Sequence, residues 1–435
     1  MIREQGQGGT PTRSDPSKAQ AHILMAERAA ADIDDIAPDT PRIPVGRVGI
    51  LGAGMMGGGI AMNFLSMGMP VTIVERDQAP LDRGIATIRR NYERAVSRGR
   101  LTQADVERAM ALLTPSLAIE DFASSDLIIE AVFENMAVKK DVFRRLDAIA
   151  RPGAILASNT SRLDIDVIAA ETARPEAVIG LHFFSPANVM RLLEVVRGAK
   201  TGSSQLATVM KLAKRIGKIA VVSGVCPGFI GNRMLGQRQA QAQRLILEGA
   251  KPWDVDRVLT RFGFPMGPFQ MSDLAGLDLG WRRETSKGES IRDLLCERDR
   301  RGQKTSKGYY DYDAERVATP SAEVEAIIAA FAERRGYRPR KVEDGEILQR
   351  LLYPMINEGA RILEEGIAQR ASDIDVVWLN GYGWPAATGG PMFWADTIGL
   401  QKITAGLEAH ADKFGTGFVL SPMLSRLAAA GESLV

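Results

Sequence analysis

Gly52-Ala53-Gly54-Met55-Met56-Gly57 decides how this chain is read. It follows a short apolar run, Arg47 to Leu51, and opens the helical stretch Met55 to Met67. A buried strand running through a glycine turn into a helix is the context that gives GxGxxG its meaning. The first glycine permits the tight turn, the second lets backbone approach a pyrophosphate, and the third lets helix and strand pack closely. The free N–H groups and positive dipole end of that helix suit the phosphates. Glu75 ends the next apolar run, Val71 to Val74, 18 residues beyond Gly57. A carboxylate there accepts hydrogen bonds from both ribose hydroxyls and repels a 2′-phosphate, so NAD is expected rather than NADP.

Outward from this motif the pattern continues as strand and helix. Asp126 to Val132, Ala154 to Ala157 and Val178 to Phe184 read as further strands, with helical stretches such as Lys139 to Ala150 between them. That alternation predicts a doubly wound, mostly parallel sheet, Rossmann-like, over residues 46–224. From Phe229 onward the reading is nearly all helix, which puts a boundary near Val225. This half carries an internal repeat. Glu248-Gly249, Asp254-Val255-Asp256, Gly263-Phe264-Pro265 and Gly267-Pro268 return as Glu365-Gly366, Asp373-Ile374-Asp375, Gly383-Trp384-Pro385 and Gly390-Pro391. Two tandem all-helical domains are therefore expected, over 225–330 and 345–435. Ahead of the sheet, Lys18 to Ile36 reads as one amphipathic helix followed by a proline-punctuated connector, together 18–45. Residues 1–17 read as a disordered tail.

Composition limits the function classes. The formal net charge is +2, too small to nominate nucleic acid. The three histidines, His22, His182 and His410, share no motif, which argues against a metal site. Cys226 and Cys296 form no disulfide framework. No run of about 18 apolar residues could span a membrane, and the start has no secretory h-region. The ending, Ser433-Leu434-Val435, is not the Ser-Lys-Leu peroxisomal signal, so the expectation is a cytoplasmic protein.

Two polar residues stand out at apolar strands. His182 closes the run Gly180-Leu181-His182-Phe183-Phe184, and strand ends of open α/β sheets are where ligands bind. Glu194 sits inside the apolar run Met190 to Val196, where a carboxylate is costly without a partner. A hairpin would bring the two together as a general base and its carboxylate. On spacing alone, a hydrogen-bonded core histidine near an unrelated glutamate fits equally well. Ser158-Asn159-Thr160-Ser161 is a polar strand end or a helix cap before Leu163. Asn232 lies in the first turns after the boundary.

Taken together, these pieces resemble the L-3-hydroxyacyl-CoA dehydrogenase family of fatty acid β-oxidation. The likeness runs through Gly52 to Gly57, Glu130-Ala-Val-Phe-Glu134-Asn135, Ser158 to Ser161, His182-Phe-Phe-Ser-Pro-Ala187, Leu192 to Val196 and Pro227-Gly-Phe-Ile-Gly-Asn-Arg233. Phe264 to Phe269 and Gly389 to Asp396 look like the dehydrogenase half of peroxisomal-type and bacterial multifunctional enzymes, which carry two helical domains. The resemblance implies an NAD-dependent oxidoreductase acting on an acyl-CoA substrate, with His182 as general base and Glu194 as its orienting carboxylate. It places Ser161 and Asn232 on the reacting oxygen or thioester. It matches Met56, Glu75, Val132, Phe133, Glu134, Lys139 and Ser161 to cofactor-contacting positions. Only about 45 residues precede the sheet, too few for the hydratase domain of multifunctional relatives. No hydratase activity is therefore expected, and a separate enoyl-CoA hydratase becomes a candidate partner. The second helical copy has Gln349-Arg350 where the first has Asn232-Arg233, and it reads as structural. A tandem copy satisfies within one chain the surface that single-copy members use to dimerise, which implies a monomer. The alternatives are a dehydrogenase of another β-hydroxy acid and a non-catalytic NAD-binding scaffold.

Overall fold

A computed structural model describes residues 15–435. The tail expected over 1–17 falls outside the described residues up to position 14, while Pro16 and Ser17 already belong to a helix. The chain divides into two compact units. One comprises Pro16–Arg233 together with Ile362–Tyr382, and the other Met234–Arg361 together with Gly383–Leu434.

The first unit is built on an eight-stranded sheet: β1 (Val48–Leu51), β2 (Val71–Val74), β3 (Leu113–Ser116), β4 (Leu127–Glu130), β5 (Ile155–Ser158), β6 (Val178–Phe183), β7 (Leu192–Val196) and β8 (Ile219–Ser223). Their spatial order is β3-β2-β1-β4-β5-β6-β7-β8. The first six are parallel and follow the dinucleotide-binding order, so the strand order reverses between β1 and β4. Strands β1, β4, β5, β6 and β7 are buried at every residue, which explains their continuous apolar runs. Two strands escaped the sequence reading. β3 contains Pro115 and is half exposed, a composition that only an edge strand tolerates. β8 pairs with β7 and extends the sheet just before the boundary.

β7 runs antiparallel to β6 and sets His182 directly opposite Glu194. The expected long N-terminal helix is shorter, Pro16–Ala29. The Arg370 guanidinium donates to the carbonyls of Ala29 and Asp32, which satisfies the chain where the helix stops.

The second unit is mainly helical, but the all-helix expectation needs correction. Tyr310–Tyr312 and Ala318–Pro320 form a small antiparallel hairpin. Buried Asp273 holds it, accepting hydrogen bonds from the N–H groups of Tyr309 and Tyr310 and from the Tyr312 hydroxyl. Burial pushes the Asp273 carboxyl up to about 6, against the pull of those bonds.

Candidate active site

The glycine turn lies where the strand order reverses. Gly52 has φ +104°, and a Cβ there would meet the Ala131 carbonyl oxygen at 2.8 Å. A Cβ on Gly57 would lie 1.9 Å from the Gly52 carbonyl oxygen, so the helix Met55–Leu65 can start here only from glycine. Gly54 is different, since nothing stands within 4 Å of its Cβ position. No side chain caps this helix. An open glycine at an uncapped helix N-terminus fits a dinucleotide pyrophosphate, which brings its own acceptors to the free N–H groups. The Glu75 carboxylate accepts from the Ala53 N–H at 2.9 Å and from the Arg76 N–H at 2.9 Å. It is thereby fixed at the end of β2 with lone pairs left for ribose hydroxyls. A cavity of about 340 Å³ opens beside this turn, lined in part by Gly54, Met55, Glu75, Arg83 and Asn188. Met56 is half-buried next to it.

At the ends of β4 and β5 a carboxylate network organises the next wall. Fully buried Lys139 donates to both oxygens of Glu130, at 2.7 and 2.9 Å. Glu130 also accepts from the Val132 N–H and the Ser158 hydroxyl, each at 2.7 Å. Removing one partner of such an enclosed pair typically costs about 3–5 kcal/mol. Lys139 also stands 3.6 Å from Glu134, itself wholly enclosed while that carboxylate is partly exposed. Glu134 accepts from the Thr160 hydroxyl at 2.8 Å and from the Ser161 N–H and hydroxyl at 2.8 and 3.0 Å. Burial pushes the Glu134 carboxyl up, but these donors and the Lys139 ammonium outweigh it and hold the group below the usual carboxylate range. Phe133 is 85% exposed beside it, an unusual position for a large apolar ring.

The polar strand end does more than cap. Thr160 accepts from the Leu163 N–H, while the helix that follows, Ile165–Ala169, is capped by Asp164. Asn159 accepts from the Phe183 N–H at 2.9 Å and so ties the end of β5 to the strand that carries His182.

His182 is 6% exposed, and its Nδ1 lies 2.7 Å from Glu194 Oε2. The other oxygen, Oε1, accepts from the N–H groups of Ile230 and Gly231 at 3.2 and 3.0 Å. These belong to the start of the helix Gly231–Leu247, whose dipole favours a carboxylate there. The approach is contorted. Gly228 and Phe229 both take positive φ, +85° and +53°, and Phe229 is fully buried against the imidazole at 5.9 Å between ring centres. A non-glycine residue in that conformation costs of order 1–3 kcal/mol and persists only where surroundings enforce it. Phe184 covers the imidazole at 4.3 Å. Asn232 donates to the Ser161 carbonyl at 3.2 Å, which joins the helix start to the β5 loop. The loop between β6 and β7 is braced by Lys218, which donates to the Ala187 and Met190 carbonyls, both at 2.6 Å. Burial pushes that ammonium down to about 8.

His182, Glu194, Ser161 and Asn232 thus come together in the sheet unit. Sequence reasoning quoted Glu130, Asn159, Thr160 and Phe184 within motifs without giving them roles of their own, and it passed over Lys218. A carboxylate closing a fully apolar strand was a signal for Glu130. Nothing in the sequence marked Lys218, whose partners are backbone carbonyls.

Family models and relatives cover most of the chain. The NAD-binding domain of 3-hydroxyacyl-CoA dehydrogenase matches residues 47–226, and the C-terminal domain of the same family matches 228–312 and 345–433. The peroxisomal bifunctional enzyme of Cavia porcellus is 44% identical over 423 residues, covering 91% of this chain and 58% of the relative. The chain therefore spans a little over half the length of that protein. Among solved structures, 3-hydroxybutyryl-CoA dehydrogenase from Escherichia coli K12 superposes with a TM-score of 0.76 at 28% identity, covering 89% of this chain and 100% of that one. The dehydrogenase part of multifunctional enzyme 1 from C. elegans gives 0.67 at 31% identity, covering 93% and 96%. The cytoplasmic expectation does not survive, because curated relatives that match at 42–44% identity are peroxisomal enzymes. Its premises, an ending other than Ser-Lys-Leu and the lack of an apolar span, do not decide a compartment. Among the described residues, no helix is long and apolar enough to cross a membrane.

Proposed function

The chain belongs to the 3-hydroxyacyl-CoA dehydrogenase family, and from that premise we infer that it oxidises the 3-hydroxyl of an L-3-hydroxyacyl-CoA to a ketone, as in fatty acid β-oxidation. NAD, when bound, takes up the hydride that leaves C3. The observation that carries the reading is the His182–Glu194 pair, enclosed at the end of β6 and anchored to a helix N-terminus. With Nδ1 donating to Glu194, His182 presents a neutral Nε2 that accepts the hydroxyl proton. Glu194 stabilises the imidazolium so formed and fixes its tautomer. Asn232 donates a hydrogen bond to the reacting oxygen or the thioester, and Ser161 joins it once its hydroxyl turns from Glu134 to the substrate. Met56, Glu75, Val132, Phe133 and Glu134 line the cofactor's path along the strand ends, with Lys139 holding Glu134 in place.

Acetoacetyl-CoA with NADH tests this directly. Loss of NADH absorbance is expected with the thioester and not with free acetoacetate, and NADPH is expected to be a poor substitute. No turnover in protein that still binds NADH would move the reading to a scaffold. Turnover of free acetoacetate would move it to another β-hydroxy acid.

The two helical copies exchange matching ion pairs. Arg233 of the first copy bonds Glu365 of the second at 2.5 and 2.8 Å. Arg350 of the second bonds Glu248 of the first at 2.6 and 2.8 Å. Each pair is the other shifted by 117 residues, the reciprocal pattern of a two-fold interface. That pattern supports the reading of a monomer, and light scattering is expected to give one chain's mass at micromolar concentration. A stable dimer would contradict this. An enoyl-CoA hydratase is the partner the chemistry asks for, because hydration of an enoyl thioester yields this substrate.

A further inference from the structure

We propose that Tyr382, from the second helical copy, is a positioning residue for Asn232 in the active site. The Tyr382 hydroxyl donates to Asn232 Oδ1 at 2.9 Å, across 150 residues of sequence. Asn232 Nδ2 in turn donates to the Ser161 carbonyl. With its oxygen and one N–H both committed, the amide is fixed in one orientation, and its second N–H has a defined direction. A free amide would sample both orientations and present oxygen or nitrogen alternately.

The fit around the ring is close. A Cβ on Gly231 would lie 2.2 Å from Tyr382 Cε2 and 2.4 Å from its hydroxyl oxygen, so the neighbour of Asn232 has no room for a side chain. The Tyr382 ring meets Phe184 edge-on at 5.4 Å, and Phe184 covers His182. Trp378 packs against Tyr382, its ring tilted, at 4.7 Å between centres. A Cβ on Gly381 would lie 2.4 Å from a methyl carbon of Leu192 in β7. The segment is held in register by the Arg233–Glu365 pair and by the Gly224 N–H, which donates to the Ile367 carbonyl at 2.8 Å.

The repeat shows that this contact is specific to one half. Aligned on Gly263-Phe264-Pro265 and Gly383-Trp384-Pro385, Tyr382 corresponds to Phe262, which has no hydroxyl. Phe262 packs among Phe264, Trp384 and Trp394. The counterpart of Asn232 is Gln349, whose side chain bonds His410. The second copy, read from sequence as structural, keeps the half of the exchange that reaches the chemistry.

The proposal rests on Asn232 contacting substrate, so both residues enter one experiment. Acetoacetyl-CoA reduction is followed in Tyr382→Phe, Asn232→Ala and the double variant, with NADH affinity measured by fluorescence. Tyr382→Phe keeps the ring and is expected to lower kcat about three- to tenfold, the scale of one lost hydrogen bond, with NADH affinity unchanged. In the Asn232→Ala background, Tyr382→Phe is expected to change nothing further, because the ring is kept and the amide on which the hydroxyl acts is gone. Wild-type kcat in Tyr382→Phe, or losses that multiply in the double variant, overturns the proposal. A wild-type rate in Asn232→Ala overturns the reading of Asn232 itself, and the proposal with it.

Discussion

His182→Gln is expected to lower kcat by at least about 10²-fold, the usual scale for loss of a general base. Glutamine approximates the size of imidazole and retains hydrogen-bonding atoms, so the pocket formed by Phe184, Phe229 and Glu194 stays filled. Its amide is not basic, however, and the hydroxyl proton has no acceptor as hydride departs. NADH affinity is expected to hold, because the glycine turn and Glu75 lie on other strands. Stopped-flow measurement of the hydride step, with NADH binding followed by fluorescence, separates the two. A near-wild-type rate would remove His182 from the mechanism.

The glycine turn was readable in sequence because every requirement was local: a strand, three glycines and a helix between Val48 and Leu65. The paired His182 and Glu194 were readable only as an opportunity. Their meeting depends on β7 reversing direction, and a one-residue slip in that hairpin would put Glu194 on the opposite face. The ladder places them opposite each other. The anchors of Glu194 were not legible. They are backbone N–H groups of Ile230 and Gly231, brought into line by positive φ at Gly228 and Phe229. Backbone donors carry no side-chain signature, and a phenylalanine in the left-handed region contradicts its local preference. The same reason hid Tyr382. In sequence it belongs to a helical repeat whose first copy has phenylalanine there, while its partner lies 150 residues earlier. The all-helical reading failed at Tyr310–Tyr312 because buried Asp273, 36 residues upstream of Tyr309, supplies the bonds that hold the hairpin. Local periodicity does not report such distant partners.

Those hidden anchors make Glu194→Gln more damaging than the loss of one charge. Oε1 of Glu194 receives two N–H donors and Oε2 faces His182 Nδ1. A glutamine must give its single oxygen to one side. If its NH₂ faced Ile230 and Gly231, two buried donors would confront a third, each at about 1–3 kcal/mol for the unmet bond. The oxygen therefore takes the helix start and the NH₂ turns to His182. Nδ1 must then accept, which moves the imidazole proton to Nε2, the nitrogen that should receive the substrate's proton. The side chain remains nearly isosteric while the base is left in the wrong tautomer and its imidazolium without a counter-charge. A corresponding carboxylate-to-amide change in a serine protease triad lowers kcat about 10⁴-fold, and a loss of about 10³-fold or more is expected here. Because the geometry is kept, KM for acetoacetyl-CoA and the thermal midpoint are expected to move little. An unchanged kcat with an unchanged pH profile would mean that Glu194 serves packing alone. A fall in the melting temperature that accounts for the lost activity would point to its anchoring of Ile230 and Gly231 instead.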